Sequence, residues 1–477
     1  MAFKSHSVLL AALFFLSGSD IFCDNQTPDI TPILPPTTLP FTISIEQANF
    51  SLPAGLHSYS FGTYKGKALL LGGRTNGMHT FDNNNNNFPP RKQNTTVFVV
   101  DFHEGVVYTK SLYDPSSGLS QAQIDLLSVT SPQSYTNKSS NTMYITGGYG
   151  VDTASGQFST KPCLTAIDIP GLIHWVTHPS SNETAAQHIR QIFHPLLQVT
   201  GGFMTQINPH LPTLLVFGQN FAGFYTDSSN GNYTQQVRTF QIIDNGKDLY
   251  IQPQNMENPN PNYRRRDLNV VPIIQKKRNS YQQALVALSG VFTLTTGAWT
   301  VPVLISSTGT TSMADPSNPK TFKQGMNNYF CPTIGLFSQK TNDMYILALG
   351  GISFGYFQNN VFVTDSELPF INQVTTIKID EDGNFQQFLM ANQYPVILST
   401  SSNPGNPLLF GAGARFFPIK ELPMYTNEVF RLEKLGKSPI LLGYIVGGIQ
   451  STLNNTNVAS DSAASPYIFR VILYPKS

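Results

Sequence analysis

Ala68-Leu69-Leu70-Leu71-Gly72-Gly73 limits what this chain can become more than any other stretch, because its pattern, an apolar run cut off by glycine, returns along the whole sequence. Met143-Tyr144-Ile145-Thr146-Gly147-Gly148, Leu347-Ala348-Leu349-Gly350-Gly351 and Tyr444-Ile445-Val446-Gly447-Gly448 are close copies. Leu214-Leu215-Val216-Phe217-Gly218 and Leu285-Val286-Ala287-Leu288-Ser289-Gly290 are weaker ones. A short apolar run bounded by turn residues reads as a buried strand, and six of them at long spacing read as six copies of one β-unit. Where strands crowd toward an axis and turn sharply, only a residue without Cβ allows close approach and positive φ. The glycine pairs are therefore read as packing and turn devices. Phosphate cradles are set aside because no helical pattern follows any of them.

The chain has 477 residues, of which 40% are hydrophobic and only 12% charged. That charged share is about half the usual one, and Asn, Gln, Ser, Thr, Gly and Pro fill the surface instead, which suits long loops and many turns. A net charge of +1 gives no global field for nucleic acid, so no nucleic-acid partner is expected. Lys4 and His6 precede the apolar run Val8 to Leu16, and Ser17-Gly18-Ser19 follow. This reads as an export signal over residues 1–22, too short to span a bilayer. No other stretch is long and apolar enough to be a transmembrane segment, and a monomer that is secreted, periplasmic or displayed at the cell surface is expected. Residues 23–40 hold five prolines among threonines and read as a semi-extended leader, leaving 41–477 as the folded domain. With Cys23 at the signal boundary, Cys163 and Cys331 remain, either as two buried thiols or as one bridge. Seven Asn-x-Ser/Thr sequons (Asn25, Asn49, Asn94, Asn137, Asn182, Asn232, Asn454) fit exposed loops of an exported chain.

Each unit is expected to run from an inner strand through the glycine-ended strand to one or two outer strands. Inner strands are expected over Ser58–Tyr64, Leu127–Thr130, Phe193–Ile207, Asp267–Ile274, Phe330–Phe337 and Leu408–Phe417. Leu172–Val176 is expected as an outer strand of the second unit. The sixth unit lacks a fourth strand, and Phe41–Ile45, alternating apolar and polar residues, is assigned to complete it. Ser180 to Phe193 is expected to form a short surface helix, and Ser120 to Leu127 is a second candidate.

The strand-then-glycine units, with acidic strand ends such as Val99-Val100-Asp101 and Ala166-Ile167-Asp168, resemble kelch-type β-propellers, the group that includes galactose oxidase-like domains. Gly72-Gly73-Arg74-Thr75-Asn76-Gly77-Met78-His79, Gly147-Gly148-Tyr149-Gly150 and Arg265-Arg266-Asp267-Leu268-Asn269-Val270-Val271-Pro272 resemble exported bacterial kelch-like proteins of unassigned activity. The resemblance spans about Phe41 to Tyr474. It implies an all-β, six-bladed kelch-like propeller whose last blade is closed by an N-terminal strand. It also implies that the loops after the glycine pairs gather on one face.

Copper of the galactose oxidase type needs tyrosine and histidine ligands with a cysteine placed to crosslink one tyrosine, but every histidine here lies at or before His210. No metal and no cofactor are expected. Arg264-Arg265-Arg266-Asp267 precedes an inner strand, where side chains can reach the channel mouth. A guanidinium fork there grips a carboxylate, sulfate or phosphate, and a sialic-acid mutarotase-like propeller would set such an arginine beside a carboxylate base. The plainer alternative is a solvated basic turn. His79 reads as a loop histidine, and His57 can face the channel without an identifiable nucleophile beside it. Phe81, Tyr149, Phe221, Phe224, Tyr225, Trp299, Phe354 and Tyr356 follow the glycine-ended strands, and rings mixed with amides and arginines suit glycan or peptide recognition. Arg74, Tyr149, Tyr225, Arg265, Arg266, Asp267, Trp299 and Tyr356 form the candidate ligand-binding set. The leading expectation is an exported binding module for a glycan, polypeptide or surface partner, with no catalytic residue assigned. The alternative is an enzyme acting on a sugar or sugar acid at the channel mouth.

Overall fold

A computed structural model describes residues 30–226, 229–278, 280–293, 297–456 and 458–476; the expected export signal lies outside the described residues. The chain is an all-β propeller. Its first sheet pairs Ser60–Tyr64, Lys67–Leu71, Thr96–Asp101 and Val106–Ser111 in antiparallel order. The second joins Gln133–Asn137, Thr142–Thr146, Cys163–Asp168 and Ile189–Phe193. The third joins Phe203–Thr205, Thr213–Val216, Val237–Asp244 and Leu249–Pro253, and the fourth Val270–Lys277, Ser280–Ala287, Val303–Ile305 and Thr311–Met313. At the end of the chain, Arg415–Pro418, Ile440–Val446 and Ile468–Pro475 make a sheet whose outer strand is Phe41–Gln47.

Six alike four-stranded sheets is the expectation from sequence, and five are found. The remaining sheet, formed by the fifth unit, has six strands. Its core is Thr333–Phe337, Met344–Ile352, Phe370–Ile379 and Phe385–Leu389. Ile33–Leu34, from the stretch read as a free leader, adds in parallel at one edge, and Phe430–Arg431 adds in parallel to Thr333–Phe337 at the other. The expected pairing of Phe41–Ile45 with the last strand is present, from Phe41 opposite Pro475 to Gln47 opposite Phe469.

The core lies between neighbouring sheets, one apolar cluster per seam. Leu69, Val99, Met143 and Ile167 fill the first, and Ile43, Leu336, Leu347 and Val471 fill the seam of the fifth and last sheets. Two sets of backbone hydrogen bonds tie the seams. Ser58, Ser131, Gly201, Asp267, Phe330 and Gly413 each precede a sheet's first strand and each has a left-handed φ between 48° and 69°. The N–H of Ser131 donates to Ser58 O, Gly201 to Ser131 O, Asp267 to Gly201 O, Gly413 to Phe330 O and Ser58 to Gly413 O, all at 2.7–3.1 Å. These bonds offset the cost of positive φ at residues with side chains, about 1–2 kcal/mol each.

The glycine pairs make the second set: the N–H of Gly73, Gly148, Gly218, Gly351 and Gly448 donates to Val129, Val199, Arg265, Phe410 and Leu56 respectively, at 2.8–2.9 Å. Each acceptor belongs to the next sheet, so the repeat seen in the sequence is a staple between units. At Gly147, φ is 64° and an added Cβ would lie 1.7 Å from Val199 O, which only glycine avoids.

Four local expectations are corrected. Leu127 ends a helix, Gln121–Leu127, capped by Ser120 as the second helix candidate required, and the second sheet's inner strand is Gln133–Asn137. Leu172–Val176 belongs to a helix, Ile169–Thr177, with Pro170 in its first turn and Ile169, Leu172, Ile173 and Val176 buried on one face. The expected helix from Ser180 shrinks to a 3-10 turn, Ala185–His188, because Ile189–Phe193 is drawn into the second sheet as its outer strand. The sixth unit's inner strand is only Arg415–Pro418, since the glycines at 411 and 413 hold positive φ before it. Cys163 and Cys331 are buried, free thiols.

Candidate functional site

The innermost strands of all the sheets line one axial cavity of about 770 Å³. It runs from Asn269, Cys331 and Arg415, beside the ring of left-handed residues, to the opposite end, where the Tyr64–Lys67 turn, Lys138 and the segment Tyr425–Glu428 close in. The glycine pairs lie on the other side of the ring, so the ring divides the axis into a mouth on the glycine side and the cavity behind it.

The ring has a break. Among the described residues Phe330 N–H does not reach Asp267 O, and no glycine staple joins the fourth sheet to the fifth. Ser289 stands where four other units have glycine, and its Oγ is buried without a partner. Asn269 replaces both links: its Nδ2 donates to Asn328 O at 2.6 Å, and its Oδ1 accepts from Cys331 N at 3.1 Å.

Asp267 sits at that break. Its side chain is 23% exposed, its Oδ2 lies 3.9 Å from Arg266 Nε, and burial raises its pKa against the opposing pull of Arg266 and then Arg415. Arg266 is held between the rings of Tyr225 and Phe292, 5.5 and 5.2 Å away, and its Nη2 donates to Tyr225 Oη at 2.7 Å. Its Nε is buried and has no hydrogen-bond acceptor among the described residues. Burial, and after it Asp267, drives the neighbouring Tyr329 hydroxyl far up in pKa, so it stays protonated.

The wall beyond Tyr225 is aromatic. His79, Phe88 and Tyr225 pack at 5.0–5.2 Å, Phe88 touches Tyr149, and Arg74 stacks on Phe88 at 4.8 Å. Arg74 is buried, donates to Asn76 Oδ1 at 2.9 Å, and its pKa falls to about 10 through burial, so it remains charged at neutral pH. Tyr149 is buried and donates to Gly223 O at 2.7 Å. Phe81 and Phe224 are the open rings of this face, 51% and 55% exposed. His57 lies beneath, its Nδ1 2.9 Å from Ser58 Oγ; burial, then Arg74, lowers its pKa to about 3, which keeps the ring neutral.

The structure thus brings together Arg74, Tyr149, Tyr225, Arg266 and Asp267. It separates three other expected residues from them. Arg265 has no exposed surface: its Nη1 and Nη2 donate to Leu288 O and Val301 O at 3.0 and 2.8 Å, and it packs on the Trp299 ring. Trp299 in turn donates to Arg264 O at 2.7 Å. Both brace the fourth sheet rather than present themselves to a ligand, because adjacent residues of an extended chain point to opposite sides. Tyr356 belongs to the hairpin Gly355–Gln358 and Val361–Thr364 and makes no hydrogen bond or ring contact with the cluster among the described residues. Sequence reasoning missed Asn269 and Arg415. Both stand two residues after a ring position, as do Gln133 and Phe203, and aligning the units on that position would have found them.

No group of three or more His, Cys, Asp and Glu side chains suited to a metal ion occurs among the described residues, and none of their helices is long and apolar enough to cross a membrane. No family model matches the chain, and no curated protein matches it. Solved structures with a similar outline include "Structure of YjhT", at 9% identity and a TM-score of 0.42, covering 87% of this chain and 99% of that one. "Crystal structure of polysaccharide lyase Uly1" is similar at 8% identity and TM-score 0.34, with 88% and 90% covered. "Streptogramin B lyase structure" is similar at 11% and 0.32, with 91% and 98% covered.

Proposed function

We propose that this protein is an exported, kelch-type propeller, its ring closed as six blades with the widened sheet as one of them, that acts on a sugar acid at the channel mouth. Asp267 carries the reading: a carboxyl group at the break in the axial ring, its pKa raised by burial, with Arg266 and Arg415 as its charged neighbours. Such a group can give or take a proton where an ordinary aspartate would only stay ionised. Arg266, whose Nε makes no hydrogen bond and only a 3.9 Å ion-pair contact with Asp267, can hold the carboxylate of the substrate. One carboxyl beside arginines suits proton transfer at a carbon next to a carboxylate, or opening of a sugar ring, better than glycoside hydrolysis, which uses two carboxyl groups across the bond. The second reading, an exported binding module for a glycan, is favoured by the open rings of Phe81 and Phe224 beside the same mouth.

The test follows uronic and other sugar acids by NMR in heavy water, reading hydrogen exchange next to the carboxylate and interconversion of ring forms. Turnover is expected, with Asp267→Asn lowering kcat by about 10²–10⁴-fold and Arg266→Ala acting mainly on KM. Absence of turnover on every acid, with glycan binding that depends on Phe81 and Phe224, would leave the binding module as the function.

A further inference from the structure

Behind the ring lies a space that this chemistry touches only through the charge of Arg415 on Asp267. The axial cavity, about 770 Å³, is within the range of small-molecule sites and is lined by five cationic residues (Lys65, Lys67, Lys138, Arg415, Lys420) against one acidic residue, Glu428. The whole chain carries a net charge of only +1, so positive charge is concentrated on the axis. Lys67 is ion-paired with Asp101, and Lys138 and Lys420 share Glu428 at 3.1 and 2.5 Å. Arg415 is different. It has no ion pair within 4 Å and no side-chain hydrogen bond among the described residues; the Phe330 ring lies 5.6 Å from its guanidinium, and Asp267 acts on it only at longer range. A guanidinium without a hydrogen-bond acceptor beside a cavity is a place for an oxyanion. Thr63, Thr136 and Thr205 add hydroxyls, and Phe61 and Phe203 add flat apolar faces, a mixture that suits a sugar.

We infer that the axial cavity is a second binding site, for an anionic carbohydrate of about disaccharide size whose carboxylate or sulfate is gripped by Arg415. Its outer end is closed by the segment between Pro418 and Phe430. Lys138 Nζ donates to Thr426 O at 3.0 Å, Gln283 Nε2 to Thr426 Oγ1 at 2.6 Å and Asn427 Nδ2 to Ile273 O at 3.2 Å, so this segment of the last unit is tied to the second and fourth. Glu428, in a left-handed conformation at φ 68°, places its carboxylate between the two lysines. An incoming acid group competes with Glu428 for them, which couples access to the charge of the ligand.

Cys331 lines the cavity and reports on it, whereas Cys163 does not. The experiment measures the rate at which a thiol reagent modifies Cys331 in the full chain carrying Cys23→Ser and Cys163→Ser. Digalacturonate and a sulfated disaccharide are the anionic probes and maltose the neutral one. At least one anionic probe is expected to slow modification saturably, by about tenfold or more, while maltose does not; the two anionic arms tell carboxylate from sulfate. Arg415→Ala is expected to raise the half-protecting concentration about tenfold or more, and Arg266→Ala, on the mouth side, to leave it within about twofold. This separates the cavity from the proposed activity, which Arg266→Ala impairs. If Arg415→Ala does not fold, Arg415→Lys and Lys138→Met carry the test, each expected to weaken protection by about threefold or more. No saturable slowing by either anion, equal slowing by maltose, or protection indifferent to these cavity substitutions overturns the inference.

Discussion

Five seams between neighbouring sheets are fastened by main-chain hydrogen bonds, and the seam between the fourth and fifth sheets is fastened by a side chain. In the regular seams a left-handed residue donates back to its predecessor in the ring, and a glycine N–H reaches the carbonyl two or three residues before the next ring position. At the irregular seam Asn269 takes over the carbonyl that a glycine would have bonded; Gly290 stands where the stapling glycine is expected, with Ser289 in place of the glycine before it. The apolar filling is ordinary there, with Val271, Val286, Ile346 and Ile377 packed together. What changes is the polar fastening, and the changed seam is the one that carries Arg266, Asp267, Tyr329 and Cys331. Main-chain staples fix geometry without spending side chains, whereas a seam held by side chains leaves room for a charged group on the axis. The proposed site lies where the repeat is least regular.

The comparison can be broken most severely at a regular seam. Gly147→Val puts a branched side chain where a Cβ already falls 1.7 Å from Val199 O and where φ is 64°. Urea denaturation is expected to show a loss of about 4 kcal/mol or more, or no folded protein at all. At the irregular seam, Asn269→Ala leaves Asn328 O and Cys331 N without their present partners. Here a loss of about 2–3 kcal/mol is expected, with faster thiol modification of Cys331 as the sign that this seam alone has loosened. The smallest effect should come from Asp267→Asn. Because burial raises the pKa of Asp267, its contribution to stability is full below the ordinary aspartate pKa of about 3.9 and declines as pH rises through the folded value. Asp267→Asn should therefore melt on the order of 1–2 °C higher than the parent at pH 7, and the gap should vanish near pH 3. A gap that widens on acidification would show that Asp267 is held ionised by its arginines and would remove the basis for the acid–base role proposed for it.

The sequence exposed the regular part of this architecture more readily than the irregular part. Gly72-Gly73 and its copies are legible because the apolar run ending in glycine recurs along the chain, whereas the two weak copies, Phe217-Gly218 and Ser289-Gly290, look alike although only the second lies at the irregular seam. The pairing of Phe41–Gln47 with the last strand followed from a missing fourth strand. Arg266 and Asp267 were legible as a charged cluster, but the difference between Arg265 and Arg266 was not, since one residue of register decides which side chain meets the axis and which is buried. Arg415 and Asn269 are single polar residues at the start of apolar strands, and nothing local distinguishes them from strand ends. Pro170-Gly171 reads as a turn, so the helix Ile169–Thr177 was hidden behind its own first turn although Ile169, Leu172, Ile173 and Val176 have helical spacing. Ile33–Leu34 was concealed in the same way by the prolines around it.

The clasp between Phe41–Gln47 and Ile468–Pro475 also sets the order in which the molecule can be finished. Synthesis delivers the first of these strands more than four hundred residues ahead of the second, so it waits without its partner while every other sheet is made. Assembly is therefore completed only when the last strand leaves the ribosome, and a chain halted before Ile468 is an open arc rather than a smaller propeller. The same adjacency, with Lys476 N–H bonded to Pro40 O at 2.8 Å, means that residues 40 and 476 can be joined and the backbone cut at an exposed turn such as Gly246, giving a circular permutant that keeps every sheet and loses only the Ile33–Leu34 edge strand of the fifth.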